Sequence, residues 1–201
     1  MTGGWIPAWA ANVWSVLFFV IALVHGWHLA WAAGQARFWH LAHLLMALGM
    51  MDMFWPAGRM PVGAVPGEII FGVAAVAVLG FIAVAVIRRT PPAAAWLLTA
   101  FDLAAMVYMF ALMSTRFPAA ITVLLAAAFV VESAGWATGK LVRTAPAHAT
   151  AANGQHHGGE VLSMRISLAL MGLGMAYMLL AMQFGTDMGS NMPGMPGMPG
   201  M

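Results

Sequence analysis

Six long apolar runs, each nearly free of charge, constrain this chain more than any other feature. The hydrocarbon layer of a bilayer is about 30 Å thick and a helix advances about 1.5 Å per residue, so a membrane helix needs about 20 mostly apolar residues. Segments that meet or approach this requirement fall at 12–33, 37–55, 66–87, 94–114, 118–139 and 163–184. Their length and lack of strict alternation exclude the strands of a membrane β-barrel. With 63% hydrophobic residues and only 7% charged ones, the chain fits neither an ordinary soluble domain nor a disordered segment. The expected fold class is an all-α integral membrane protein, a six-helix transmembrane bundle over residues 1–184. Residues 185–201 are expected to form a flexible tail rich in Met, Pro and Gly.

The few charges bear on topology. Residues 1–36 carry no Asp, Glu, Lys or Arg, so the basic start of a signal peptide is missing and the first run reads as a retained helix. Arg37, Arg88, Arg89, Lys140, Arg143 and Arg165 lie in or beside alternate connections, and only Arg59 and Arg116 lie on the opposite side. The positive-inside rule then places both termini outside the cytoplasm, in a plasma-membrane protein. Trp14 and Trp55 near one end, with Trp31, Trp39, Trp96 and Trp136 near the other, match the expected headgroup-level belts. Basic residues scattered between apolar runs form no nucleic-acid surface, so the expected surroundings are the lipid bilayer and a membrane or extracytoplasmic metal-handling partner.

Cysteine is absent, which leaves histidine, methionine and carboxylate as the side-chain metal ligands. His25 and His28 in the first span, and His40 and His43 in the second, are each three residues apart and so share a helix face. A short hairpin sets the two spans side by side, with all four rings roughly 5–12 Å inside the membrane. Asp102 and Glu132 come to about 12 and 10 Å from the same side. Polar groups at that depth are expensive and normally turn toward the bundle interior. Such a layer can hold a metal ion, haem iron or exchangeable protons, or can simply supply hydrogen bonds between helices. Asp52, near the opposite end of its span, is expected to meet Arg59 or water.

Nineteen methionines are the second unusual feature. Steps of three and four place Met46, Met50 and Met53 on one stripe, Met106, Met109 and Met113 on another, and Met171, Met175, Met178 and Met182 on a third. The tail adds Met188, Met192, Met195, Met198 and Met201. Thioethers are soft ligands suited to cuprous copper, while the same side chains also serve as flexible core filler. The pattern suggests copper captured by the tail and passed along the stripes toward the His/Asp/Glu layer.

Smaller signals include His148, His156 and His157 on the connection from about 140 to 162, read as lacking fixed structure. Gly135, Gly139 and Gly172 suggest close helix approach, and Tyr108 and Tyr177 suggest hydrogen bonds to buried polar groups. No nucleotide loop, serine–histidine triad or HExxH motif is present, so a hydrolase reading has nothing to rest on, and the expectation is of a protein without covalent catalysis.

The segment WHLAHLLMALGMMDMFWP, residues 39–56, together with MGLGMAYMLLAMQ, residues 171–183, resembles an actinobacterial multi-pass membrane family, domain of unknown function 5134. His43, Met46, Met50, Met53, Trp55 and Pro56 carry the resemblance, followed by Met171, Met175, Tyr177 and Met178. The resemblance implies several membrane helices and no particular activity. From the residues, the leading expectation is a protein that binds or moves copper. Its competitors are a structural or accessory subunit without metal and a haem-binding electron carrier.

Overall fold

The computed structural model describes residues 6–55, 61–90, 92–146 and 158–190, and within these the side chains of 158–160 and 186–190 are not described. The described residues form six α-helices: α1 Ala8–Trp31, α2 Gln35–Met53, α3 Ala64–Ile87, α4 Ala95–Leu112, α5 Ala119–Ala137 and α6 Gly158–Ser190. A single 3-10 turn, Val142–Thr144, follows α5. Pro7 and Pro118 stand just ahead of α1 and α5, where a fixed φ suits the entry to a helix.

Consecutive helices pair as hairpins, α1 with α2, α3 with α4 and α5 with α6, and the hairpins join chiefly through α1 against α6 and α2 against α4. Gly34, at φ 58, makes the tight turn between α1 and α2 possible, since that backbone region is costly for residues with a Cβ.

Five of the helices are long and apolar enough to cross a membrane: α1, α3, α4, α5 and the Val161–Gly185 part of α6. The exception is α2, expected as a sixth span. Its 19 residues include Gln35, Arg37, His40, His43 and Asp52, which lower its hydropathy below that of its neighbours. The protein compensates by burial: Trp39, Met46, Ala47 and Met50 of α2 are fully enclosed by the other helices. By contrast α3 leaves Val73, Val76 and Ile87 exposed, as a helix facing lipid does.

Two boundaries depart from expectation. Helix α6 begins at Gly158 and runs to Ser190, so it takes in part of the connection and the start of the tail. At 33 residues it is about 50 Å long, more than the hydrocarbon core requires. Helix α5 ends at Ala137, and Gly139 adopts φ 77 just beyond it, so Gly139 terminates the helix and takes no part in a packing stripe.

The tryptophans correct a second expectation. Trp31 and Trp55 are exposed and suit an interfacial belt, but Trp39, Trp96 and Trp136 are buried in the bundle. Trp14 stacks at 5.8 Å on both Phe54 and Tyr177, tying α1, the end of α2 and α6 together.

Lipid is as apolar as leucine, so close contact rather than hydrophobic drive holds such helices together. At Gly172 of α6 a Cβ would lie 2.4 Å from Ser133 Oγ and 3.2 Å from the Phe129 carbonyl oxygen of α5, so this glycine sets the α5–α6 approach. Arg165 of α6 donates to the carbonyl of Trp136, which also accepts from the Gly139 N–H, and to that of Ala137, the last residue of α5.

Candidate functional site

Each methionine stripe faces the interior. Met46, Met50, Met106, Met109, Met171, Met175, Met178 and Met182 are all buried, while Met53 and Met113 lie half-buried against the same core. The helical period alone requires that residues three and four apart share a face. The packing adds that the three faces turn toward one another. Met188 lies on α6 with its side chain outside the described residues, as are Met192, Met195, Met198, Met201, His148, His156, His157, Pro56 and Arg59.

The four hairpin histidines do meet, but they divide into two environments. His25 and His40 bring their Nδ1 atoms to 3.2 Å, and His28 stacks on His40 with ring centroids 5.0 Å apart. His43 stacks on His25 at 5.3 Å and lies against Trp39 at 4.2 Å. Its Nδ1 donates to the Trp39 carbonyl at 2.8 Å. A carbonyl can only accept, so the proton of a neutral His43 ring is fixed on Nδ1 and the Nε2 lone pair is free.

His43 also lines a small cavity together with Asp102 of α4, Glu132 and Trp136 of α5, and Met171 and Met175 of α6. About 10 Å³ of it is open to the centre of a water-sized sphere, the room that one water or a small ion takes. Glu132 Oε1 accepts from Trp136 Nε1 at 3.1 Å. Asp102 Oδ1 is buried with no hydrogen-bond partner in the structure. The cavity thus gathers one imidazole, two thioethers and two carboxyls from four helices.

Among the described residues no three His, Asp or Glu side chains converge on one point as a metal site. The expected single layer is therefore split. His25, His28 and His40 face one another within the hairpin, while His43, Asp102 and Glu132 surround the cavity. Three residues set by helix–helix contact were not anticipated. Ser167 Oγ lies 3.5 Å from His25 Nε2, and Thr122 accepts from Tyr108 at 2.7 Å while donating to Gln183 Oε1 at 2.9 Å. Their sequence signal was only a hydroxyl or amide inside an apolar run.

Of the two expectations for Asp52, exposure to water is not met, and Arg59 lies outside the described residues. The Asp52 side chain is buried, and Oδ1 accepts from the Val62 backbone N–H at 3.1 Å, which holds the segment that enters α3.

Helices of this length and composition, a polar helix sheltered among them and an interior lined with sulfur define a multi-pass helical membrane protein. More particularly, residues 35–182 match the family model "Domain of unknown function (DUF5134)", and the chain belongs to that family. The match begins at the first residue of α2 and ends within α6. No curated protein and no solved structure matches the chain.

Proposed function

We propose that this membrane protein binds or moves cuprous copper through its buried thioether and imidazole side chains. The observation that carries the reading is the cavity shared by His43, Met171 and Met175. Two thioethers and one neutral nitrogen suit a soft monovalent cation, whereas Mg²⁺ or Ca²⁺ seeks a cage of oxygens. The Trp39 carbonyl supports this use of His43, because an outer hydrogen bond of this kind orients a ligand ring and frees its other nitrogen. Asp102 and Glu132 give the cavity polar oxygen that an apolar packing defect lacks, and oxygen near a bound cation offsets its charge. The interior faces of α2, α4 and α6 continue from the cavity as a run of methionines, and weak successive sites are what passage requires.

The accessory-subunit reading assigns the same methionines to packing alone. The haem-carrier reading assigns the same histidine rings, in contact at 5.0–5.4 Å, to ligation of haem iron.

Leucine separates the two main readings because it keeps a methionine's volume and removes its sulfur. We expect purified protein incubated with Cu⁺ under a reductant to retain copper by elemental analysis after desalting, and M171L/M175L to lose it while keeping its helicity. Equal retention by that variant, or none by the parent protein, would refute the copper reading.

A further inference from the structure

We infer that Lys140, Arg143 and Arg165 form a binding site for the phosphate headgroup of an anionic lipid, at the end of the bundle where α5 gives way to the connection leading to α6. Helix α5 stops at Ala137, and backbone bonds spanning three residues hold the turn beyond it: the Val142 N–H donates to the Gly139 carbonyl, Thr144 to Leu141 and Ala145 to Val142. Side chains three apart on such a backbone nearly eclipse, so Lys140 and Arg143 leave the turn on one side. Both are exposed, while Val142 and Ala145 are buried and anchor the turn to the bundle. A phosphate arriving there meets two cations on a backbone already ordered by packing.

Arg165 adds the third charge. Its Nε donates to the Trp136 carbonyl at 3.3 Å and its Nη2 to that of Ala137, which fixes the guanidinium against the end of α5. These bonds leave the N–H groups of Nη1 uncommitted among the described residues. The guanidinium rests on Gly139, where a Cβ would stand 3.2 Å from Cζ and 3.5 Å from Nη1. Gly139 immediately precedes Lys140, so the uncommitted donors lie at the foot of the Lys140–Arg143 pair. Among the described residues no carboxylate forms an ion pair with any of the three, and Glu132 on the same helix is turned to Trp136 Nε1. Guanidinium and ammonium donors gathered without a counter-charge are what a phosphate oxygen seeks.

The depth of the site favours a lipid over a free anion. Arg165 lies four residues inside the apolar Val161–Gly185 segment and Lys140 three residues beyond α5, where long basic side chains reach the headgroup layer. Toward the bilayer centre, Val131 of α5 and Ile166 and Leu173 of α6 are exposed and offer acyl chains an apolar wall. Inorganic phosphate has no use for that wall, whereas an anionic phospholipid uses the charges and the wall together. No residue of the sulfur-lined cavity takes part, so this site stands or falls independently of the copper reading.

The test titrates the full-length protein, in a neutral detergent, with phosphatidylglycerol and measures bound lipid by native mass spectrometry. Phosphatidylcholine with the same acyl chains and inorganic phosphate are the comparison ligands. Phosphatidylglycerol should bind more tightly than phosphatidylcholine, and K140Q/R143Q should lose about fivefold in affinity for each charge removed, about 25-fold together. R88Q/R89Q removes the same charge from the α3–α4 connection and should keep the parent affinity. Both replaced pairs are exposed, and far-UV circular dichroism checks that the helices persist. Equal binding of the two lipids, parent affinity in K140Q/R143Q, or an equal loss in the two variants would overturn the site. Inorganic phosphate that displaces phosphatidylglycerol at equal concentration would overturn the lipid assignment, because the acyl wall would then contribute nothing.

Discussion

Gly172→Ala measures how tightly the α5–α6 contact is set. The added methyl would meet Ser133 Oγ at 2.4 Å and the Phe129 carbonyl oxygen at 3.2 Å. The first contact is about an ångström too short but involves a hydroxyl, and the second is a few tenths too short but involves backbone. The serine must turn or the helices must part slightly, and overpacking of this kind costs about 1–3 kcal/mol. Ser133 Oγ is buried with no hydrogen-bond partner, so Ser133→Ala alone should leave stability unchanged or raise it slightly. In the double variant the 3.2 Å backbone contact is the one short contact left, beside an ordinary 3.7 Å contact with the Cβ at position 133, and the penalty of Gly172→Ala should fall by half or more. A double-mutant cycle of unfolding free energies in mixed micelles, followed by far-UV circular dichroism, gives the coupling directly. Strict additivity of the two substitutions, or a Gly172→Ala protein as stable as the parent, would refute the claim that this glycine sets the helix approach.

Two further expectations use the same assay. Thr122→Val removes the middle member of the Tyr108–Thr122–Gln183 chain and leaves a phenol and an amide without their partners, so a loss of about 0.6–2 kcal/mol is expected, and an unchanged midpoint would deny the chain any role. Arg165→Met keeps most of the side-chain length but strips the donors from the end of α5, and about 0.5–1.5 kcal/mol should be lost, with faster amide exchange at 138–142 as the local signature.

Much of the architecture is legible in the apolar runs because helix length and bilayer thickness are set by the same few numbers. α3 illustrates the simplest case: beyond Glu68 near its start, Ala64–Ile87 is apolar on every face, and any neighbour or lipid satisfies that stretch. α2 is the opposite. Its Gln, Arg, His and Asp residues weaken the case for a span, and its place inside the bundle follows from shelter by α1, α4 and α6. The end of α6 departs from the composition for a related reason. Composition marks Gly- and Asp-containing stretches as loop, yet a long helix already ordered by packing extends into them at little cost per residue.

The sulfur-lined faces and the paired histidines were both visible as spacing, since a period of 3.6 assigns residues to a face wherever the helix goes. Spacing carries no information about what that face meets. Trp39 shows the difference: an indole near a helix end suits a headgroup belt, but here it is fully enclosed beside His43, whose Nδ1 proton goes to its carbonyl. Likewise four histidines at similar depth read as one layer until packing turns His25 and His40 toward each other and His43 toward Met171 and Met175. Rotation of a helix by one residue, about 100°, exchanges those neighbours and leaves the hydropathy unchanged. The spans and their sulfur faces are therefore properties of the chain, whereas the histidine contacts and the cavity exist only through the rotation and pairing of its helices.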